Sequence, residues 1–134
     1  MIEINPRLGG NGITDLVRAA HGVDLADATV RSALGLDPRP ALALRQTVSV
    51  ATRMILKRGR GTTLYGREAL AWRDHPDVLA LDMLVNDGQP AHVRVGAWTL
   101  LGRTLVRGSD APAATRLAER VAADVAQNVS LRSD

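Results

Sequence analysis

Apolar positions along the chain follow a period near 3.6 towards the two ends and a period of 2 in the middle. At the start, Ile2 and Ile4 alternate with Glu3 and Asn5. This predicts a short strand with Glu3 and Asn5 on one face. Pro6 has no N–H for a ladder, so the strand ends or lies at an edge there. Ile13, Leu16, Val17 and Ala20 recur at i, i+3, i+4 and i+7 and predict a helix stopped by Gly22. Asp24 is placed to cap a second helix with the stripe Ala26, Val30, Ala33 and Leu34, ended by Gly35. Asp37-Pro38-Arg39-Pro40 reads as an extended connector, because a residue before proline is pushed out of the helical region.

From about Gln46 the period is 2. Val48, Val50, Thr52, Met54 and Leu56 share one face of a half-buried strand, and Ser49, Ala51, Arg53, Ile55 and Lys57 share the other. Gly59-Arg60-Gly61 is a turn, and 62–65 a short return strand. A brief helix over 67–73 ends at His75-Pro76-Asp77. A strand over 78–85 carries Leu79, Leu81, Met83 and Val85 on one face. Asp87-Gly88 signals a hairpin into a strand through Ala91, Val93 and Val95. After Gly96 a last strand runs over 99–106. Asp110 and Pro112 open a final helix with the stripe Ala114, Leu117, Ala118, Val121 and Val125, and 130–134 reads as a tail.

The order is strand, two helices, several largely antiparallel strands, helix. The fold class is α+β. One domain over 1–134 is expected, with segments at 1–35, 46–106 and 110–130. No repeat, low-complexity tract or linker interrupts it.

Composition narrows the function classes. With 134 residues, 46% of them hydrophobic, the chain can bury a core. It has no Phe, one Tyr and two Trp, so aromatic platforms for single-stranded nucleic acid are not expected. No cysteine is present, which excludes disulfides, thiolate chemistry and cysteine-ligated zinc. No apolar run approaches a membrane span and no signal peptide opens the chain, so the expected location is the cytoplasm. The net charge is +3, and arginine is spread along the chain among Asp and Glu. The local cluster Arg53, Lys57, Arg58 and Arg60 reads as a solvated turn or a site for an anionic ligand rather than a nucleic-acid face. His21, His75 and His92 lack metal-ligand spacing. No nucleophile elbow, P-loop or dinucleotide fingerprint occurs.

The opening stretch carries the chemistry. Glu3 and Asn5 offer a carboxylate and an amide oxygen side by side, which suit a hard divalent cation such as Mg²⁺. Arg7 follows with a fork that fits a carboxylate or a phosphoryl group. The backbone N–H groups around Gly9 and Gly10, ahead of a helix, suit an anion. A surface strand with a solvated Glu, an Asn at its end and a proline turn accounts for the same residues without function.

Glu3-Ile4-Asn5-Pro6-Arg7-Leu8-Gly9-Gly10 resembles the E-[IV]-N-P-R-x-[GS]-G signature near the end of the catalytic core of ATP-grasp enzymes. The continuation Leu16-Val17-Arg18-Ala19-Ala20-His21-Gly22-Val23-Asp24-Leu25, the segment 78–88, Gly102-Arg103 and the Ala-rich last helix resemble the C-terminal part of the carboxylate–amine ligase branch. The resemblance implies an ATP-dependent ligase working through an acyl phosphate. Glu3 and Asn5 would ligate Mg²⁺ or Mn²⁺, Gly9 and Gly10 would lie at the nucleotide phosphates, and Arg7 would orient the acid substrate. The family's phosphate-binding lysines, its earlier metal-binding acid and its adenine hinge all precede this motif. Lys57, the lone lysine, matches none of them. The resemblance therefore implies the last third of an enzyme, inactive alone and completed by a second chain or a missing N-terminal portion. The expected partners are ATP, a small carboxylic acid and an amine, with neither nucleic acid nor membrane. The alternative is a non-catalytic remnant or interaction module of the same descent that self-associates.

Overall fold

The computed structural model describes residues 8–92 and 94–132. The expected strand at Ile2 and Ile4, and with it Glu3, Asn5 and Arg7, lies outside the described residues. The chain divides into two compact units, Met1–Ser49 and Val50–Asp134.

The first unit is helical. Helix α1 spans Ile13–His21, and Gly22 closes it in the left-handed region at φ 69°, donating its N–H to the Arg18 carbonyl. Helix α2 spans Leu25–Ala33, with the Asp24 side chain accepting from the Asp27 N–H. Both boundaries stand where the stop and cap residues predict them. A third, one-turn helix α3 covers Arg39–Leu42. Val23, Ala28 and Ala41 form the buried centre of this unit.

The second unit is a sheet packed on a helix. Its strands are β1 (Ser49–Arg58), β2 (Thr62–Tyr65), β3 (Val78–Met83), β4 (Arg94–Val95) and β5 (Trp98–Gly108). Helix α4 (Ala111–Gln127) and strand β6 (Val129–Arg132) complete it. Strand β5 lies between β1 and β3, with β4 paired to it as well. Asp110 accepts from the Ala113 N–H and Pro112 sits in the first turn of α4, as the sequence predicts. Ala118, Val121, Ala122 and Val125 of α4 then meet Ile55, Leu81, Leu101, Val106 and Val129 in one aliphatic core. Buried Thr104 donates its hydroxyl to the Ala80 carbonyl and accepts at its own carbonyl from Thr52 Oγ1 (2.8 Å). Polar groups inside the sheet are thus paired. At Gly102 the strands β3 and β5 approach so closely that a Cβ would collide with the Asp82 carbonyl.

The α+β class and the largely antiparallel sheet agree with the sequence reading, while several local expectations change. The 37–40 segment is not extended throughout. The Asp37 carboxylate accepts from the Arg39 N–H (3.0 Å) and Ala41 donates to the Pro38 carbonyl (3.0 Å), closing a turn. Pro40 is tolerated because it stands in the first turn, where its missing N–H has no intrahelical partner to lose. On α2 the expected stripe faces outward: Ala28 is buried, while Val30 and Leu34 are 56% and 68% exposed. On β1 the core face is the mixed one. Ile55 and Ala51 meet the core, and Arg53 and Lys57 reach past it to Glu119 and to the Ala126 carbonyl on α4. Small and long-stemmed residues leave room for the helix.

Three pairings also differ. Strand β2 does not return along β1. It pairs antiparallel with β6, so residues 129–132 form a strand where a tail was expected. The 87–88 turn does not join β3 to the next strand. Gly88 donates to the Thr63 carbonyl, Thr63 to the Gln89 carbonyl and Tyr65 N–H to Asp87 Oδ1, so this segment spends its hydrogen bonds on β2. Strand β3 pairs with β5 instead, and a register shift between Val78 and Ala80 turns Leu79 out to solvent.

Candidate functional site

The described part of the motif is the loop 8–12 ahead of α1. Ile13 donates to the Gly10 carbonyl (3.2 Å) and Leu16 to the Gly12 carbonyl (2.9 Å). Asn11 and Gly12 are both left-handed, at φ 57° and 80°. Among the described residues no side chain caps the helix start. A Cβ on Gly9 would stand 3.0 Å from the Ile13 Cβ, whereas one on Gly10 would meet nothing within 4 Å. A side chain at Gly9 would thus crowd Ile13 of its own helix. At Gly10 the Cβ direction is open. Of the expected site residues, Gly9 and Gly10 are brought to the helix start, and Glu3, Asn5 and Arg7 fall outside the described residues.

A second arrangement in the first unit was not expected from the sequence. A cavity of about 460 Å³ lies between α1, α2 and α3, walled by Arg18, Asp24, Asp27, Arg31 and Arg45. Arg18 Nη2 donates to Asp24 Oδ2 (2.5 Å), and Arg31 Nε to Asp27 Oδ2 (2.8 Å). The Asp27 N–H and the Arg18 guanidinium hold the Asp24 carboxyl below the usual carboxylate range. Its hydrogen bond and charge in turn raise Arg18. The Asp27/Arg31 spacing of four residues is legible in the sequence. The approach of Arg45 to α1 is long-range and is not.

The other candidates resolve into structure. Arg53 pairs with Glu119 (3.7 Å), and Lys57 Nζ donates to the Ala126 carbonyl (2.7 Å). His75 Nδ1 accepts from the Asp77 N–H, and its ring lies 5.2 Å from the Trp72 ring. Among the described residues no group of three or more His, Cys, Asp or Glu could hold a metal ion. Among the same residues no helix is long and apolar enough to cross a membrane.

No protein-family model matches the chain. Carnosine synthase 1 of Gallus gallus is 51% identical to it over an alignment of 45 residues, with coverage of 31% of this chain and 5% of that protein. The crystal structure of phosphoribosylglycinamide synthetase from Anaerococcus prevotii matches with a TM-score of 0.63 at 12% identity, over 96% of this chain and 32% of that one. The chain therefore spans a small part of either protein. The structural likeness is one of fold, and the fold is a fragment of the ATP-grasp fold.

Proposed function

We propose that this chain, carrying the C-terminal portion of an ATP-grasp fold, is the corresponding part of an ATP- and Mg²⁺-dependent carboxylate–amine ligase. The observation that carries this reading is the coincidence of two independent features. The fold likeness extends over 96% of the chain, and the Glu3-Ile4-Asn5-Pro6-Arg7 motif leads directly into the glycine loop of that fold. The 45-residue likeness to a carnosine synthase supports the ligase branch.

The donor chemistry fits the group that the reading requires. A carboxylate and an amide oxygen, at Glu3 and Asn5, suit Mg²⁺ or Mn²⁺, which would also keep waters and nucleotide phosphate oxygens. A Cβ added at Gly10 would meet nothing within 4 Å, so the loop is open to a phosphate on that side. When bound, the metal and ATP supply a phosphoryl donor with its charge neutralised. Arg7 would hold the substrate carboxylate through two parallel hydrogen bonds. In the reaction a carboxylate oxygen takes the γ-phosphoryl group and ADP leaves. The amine nitrogen then attacks the acyl carbon, loses a proton and displaces phosphate. Arg7 stabilises the charge that passes between these groups. The segment with the ATP-binding lysines would come from a second chain or from further residues of the same protein, working in the cytoplasm.

The test is ATP-dependent phosphate release. The purified chain alone is expected to release none. Joined to the lysine-bearing portion and given acid and amine, it is expected to turn over, and Glu3→Gln to lower that turnover by about a hundredfold. Turnover by the chain alone would overturn the fragment reading, and an unaffected Glu3→Gln variant would overturn the metal assignment.

A second reading, an interaction module that self-associates, is favoured by a separate observation. The first unit buries Val23, Ala28 and Ala41 but displays Val30, Leu34, Leu36, Leu42 and Leu44. Val30 and Leu34 stand one turn apart at the end of α2, and an aliphatic face of this kind suits contact with a second copy. Light scattering separates the readings: a concentration-independent monomer without turnover in any combination would leave neither standing.

A further inference from the structure

The cavity between α1, α2 and α3 has unspent donor capacity. A guanidinium carries five N–H donors and no acceptor. In the wall, Arg18 gives Nη2 to Asp24 and Arg31 gives Nε to Asp27. Among the described residues the Arg45 side chain has neither an ion pair nor a hydrogen bond. Three arginines and two aspartates line the wall, one positive charge in excess, with Asp15 acting on Arg18 and Asp37 on Arg31 from outside the lining.

The backbone at Arg45 is also held in place, while its side chain is exposed. Its backbone N–H donates to the His21 carbonyl (3.0 Å), and Val48 donates to the Ala20 carbonyl (2.9 Å). Gln46 Nε2 donates to the Ala19 carbonyl (2.8 Å). These bonds strap residues 45–48 to the last turn of α1. The stem of Arg45 lies against Gly22, where an added Cβ would come within 2.9 Å of the Arg45 Cβ. From the other side Asp24 N–H donates to the Ala41 carbonyl (2.9 Å), fixing α3 to the start of α2. The two carboxylates orient Arg18 and Arg31 and leave their remaining N–H groups available.

We propose that this cavity is a binding site for a small oxyanion, a phosphate or a carboxylate, gripped chiefly by Arg45 with Arg18 and Arg31 at its sides. Volume and charge agree on the ligand class: about 460 Å³ accepts a small metabolite, and a wall rich in donors matches an acceptor-only group. Asp24 and Asp27 lower the attraction, so a weak site responsive to ligand concentration is expected. None of its lining residues belongs to the Glu3/Asn5/Arg7 motif, and it does not depend on the ligase reading. Its test uses neither ATP nor turnover.

The experiment is a ¹H–¹⁵N NMR titration of the whole chain with inorganic phosphate, run against sodium chloride at matched ionic strength. Saturable shifts are expected at the amides of Gly22, Asp24, Ala41, Arg45 and Gln46. Succinate in a parallel titration decides between phosphate and carboxylate as the preferred group. Arg45→Met keeps the stem against Gly22 and removes the fork. It is expected to weaken binding about tenfold, as loss of a charge-assisted pair at a half-open site should. Arg31→Met, on a different element, is expected to weaken it too and decides the matter if Arg45→Met fails to fold. Chloride reproducing the shifts, shifts spread over the arginines of the second unit, or undiminished binding in a folded variant would overturn the proposal.

Discussion

Replacing Gly102 by alanine tests how the sheet of the second unit is assembled. Gly102 lies opposite Met83 in the β3–β5 ladder. A Cβ there would collide with the Asp82 carbonyl oxygen and stand 3.0 Å from the Met83 Cα. Both obstacles are backbone, so neither can be relieved by turning a side chain. Strand β3 must move, and Leu81, which it carries into the core beside Val106 and Val121, must move with it. Overpacking of a well-filled interior costs about 1–3 kcal/mol, and a backbone obstacle puts this site at about 3 kcal/mol, the upper end of that range. For a unit of this size each kcal/mol lowers Tm by about 4–8 °C, so a drop of roughly 12–24 °C is expected. Thermal and urea unfolding followed by far-UV circular dichroism measure it. Gly10→Ala, where the added methyl meets nothing within 4 Å, is the control and should change stability by less than about 0.5 kcal/mol. If Gly102→Ala unfolds at the same temperature as the control, the argument from close strand approach is wrong.

Two further perturbations bear on the first unit. Asp24 caps α2 and has a depressed pKa, so its stabilisation is present above the ordinary carboxylate pKa of about 3.9 and is lost as pH falls through the lowered value. Hydrogen-exchange protection of the α2 amides should therefore decline on acidification below about pH 4, and Asp24→Asn should remove that dependence; a variant with the same acid response would refute the cap's role. Val30→Ser with Leu34→Ser should leave stability within about 0.5 kcal/mol, because both side chains already face solvent. In light scattering the same double variant should lower any self-association of the chain, and an unchanged oligomer would place the contact elsewhere.

The two arrangements with chemical potential differ in how local they are. The opening motif is contiguous, so its residue types can be read together before any folding is considered. The arginine cavity is assembled from α1, α2, α3 and the strap at 45–48, and only Asp27 with Arg31 are neighbours by helical spacing. A reading that looks for neighbouring polar residues finds the first and passes over the second.

What the sequence determined by itself was local. Gly22, Asp24, Asp110 and Pro112 set helix boundaries, because caps and stops act through hydrogen bonds only a few residues long. The stripe of α4 was legible because a long amphipathic helix has one surface to bury, and the α+β order followed from the change of period. The tertiary structure alone decided the partners. Thr63 and Tyr65 pair with Leu131 and Val129, residues more than sixty positions away, and no local pattern encodes that choice. It also decided which face of β1 is covered. The more apolar set through Val50, Met54 and Leu56 lost to the set of Ala51 and Ile55, because α4 needs small residues and long stems beneath it. Likewise Val30 and Leu34 repeat as a core stripe would, yet they face outward. Periodicity records that a face is apolar; only the assembled neighbours determine what covers it.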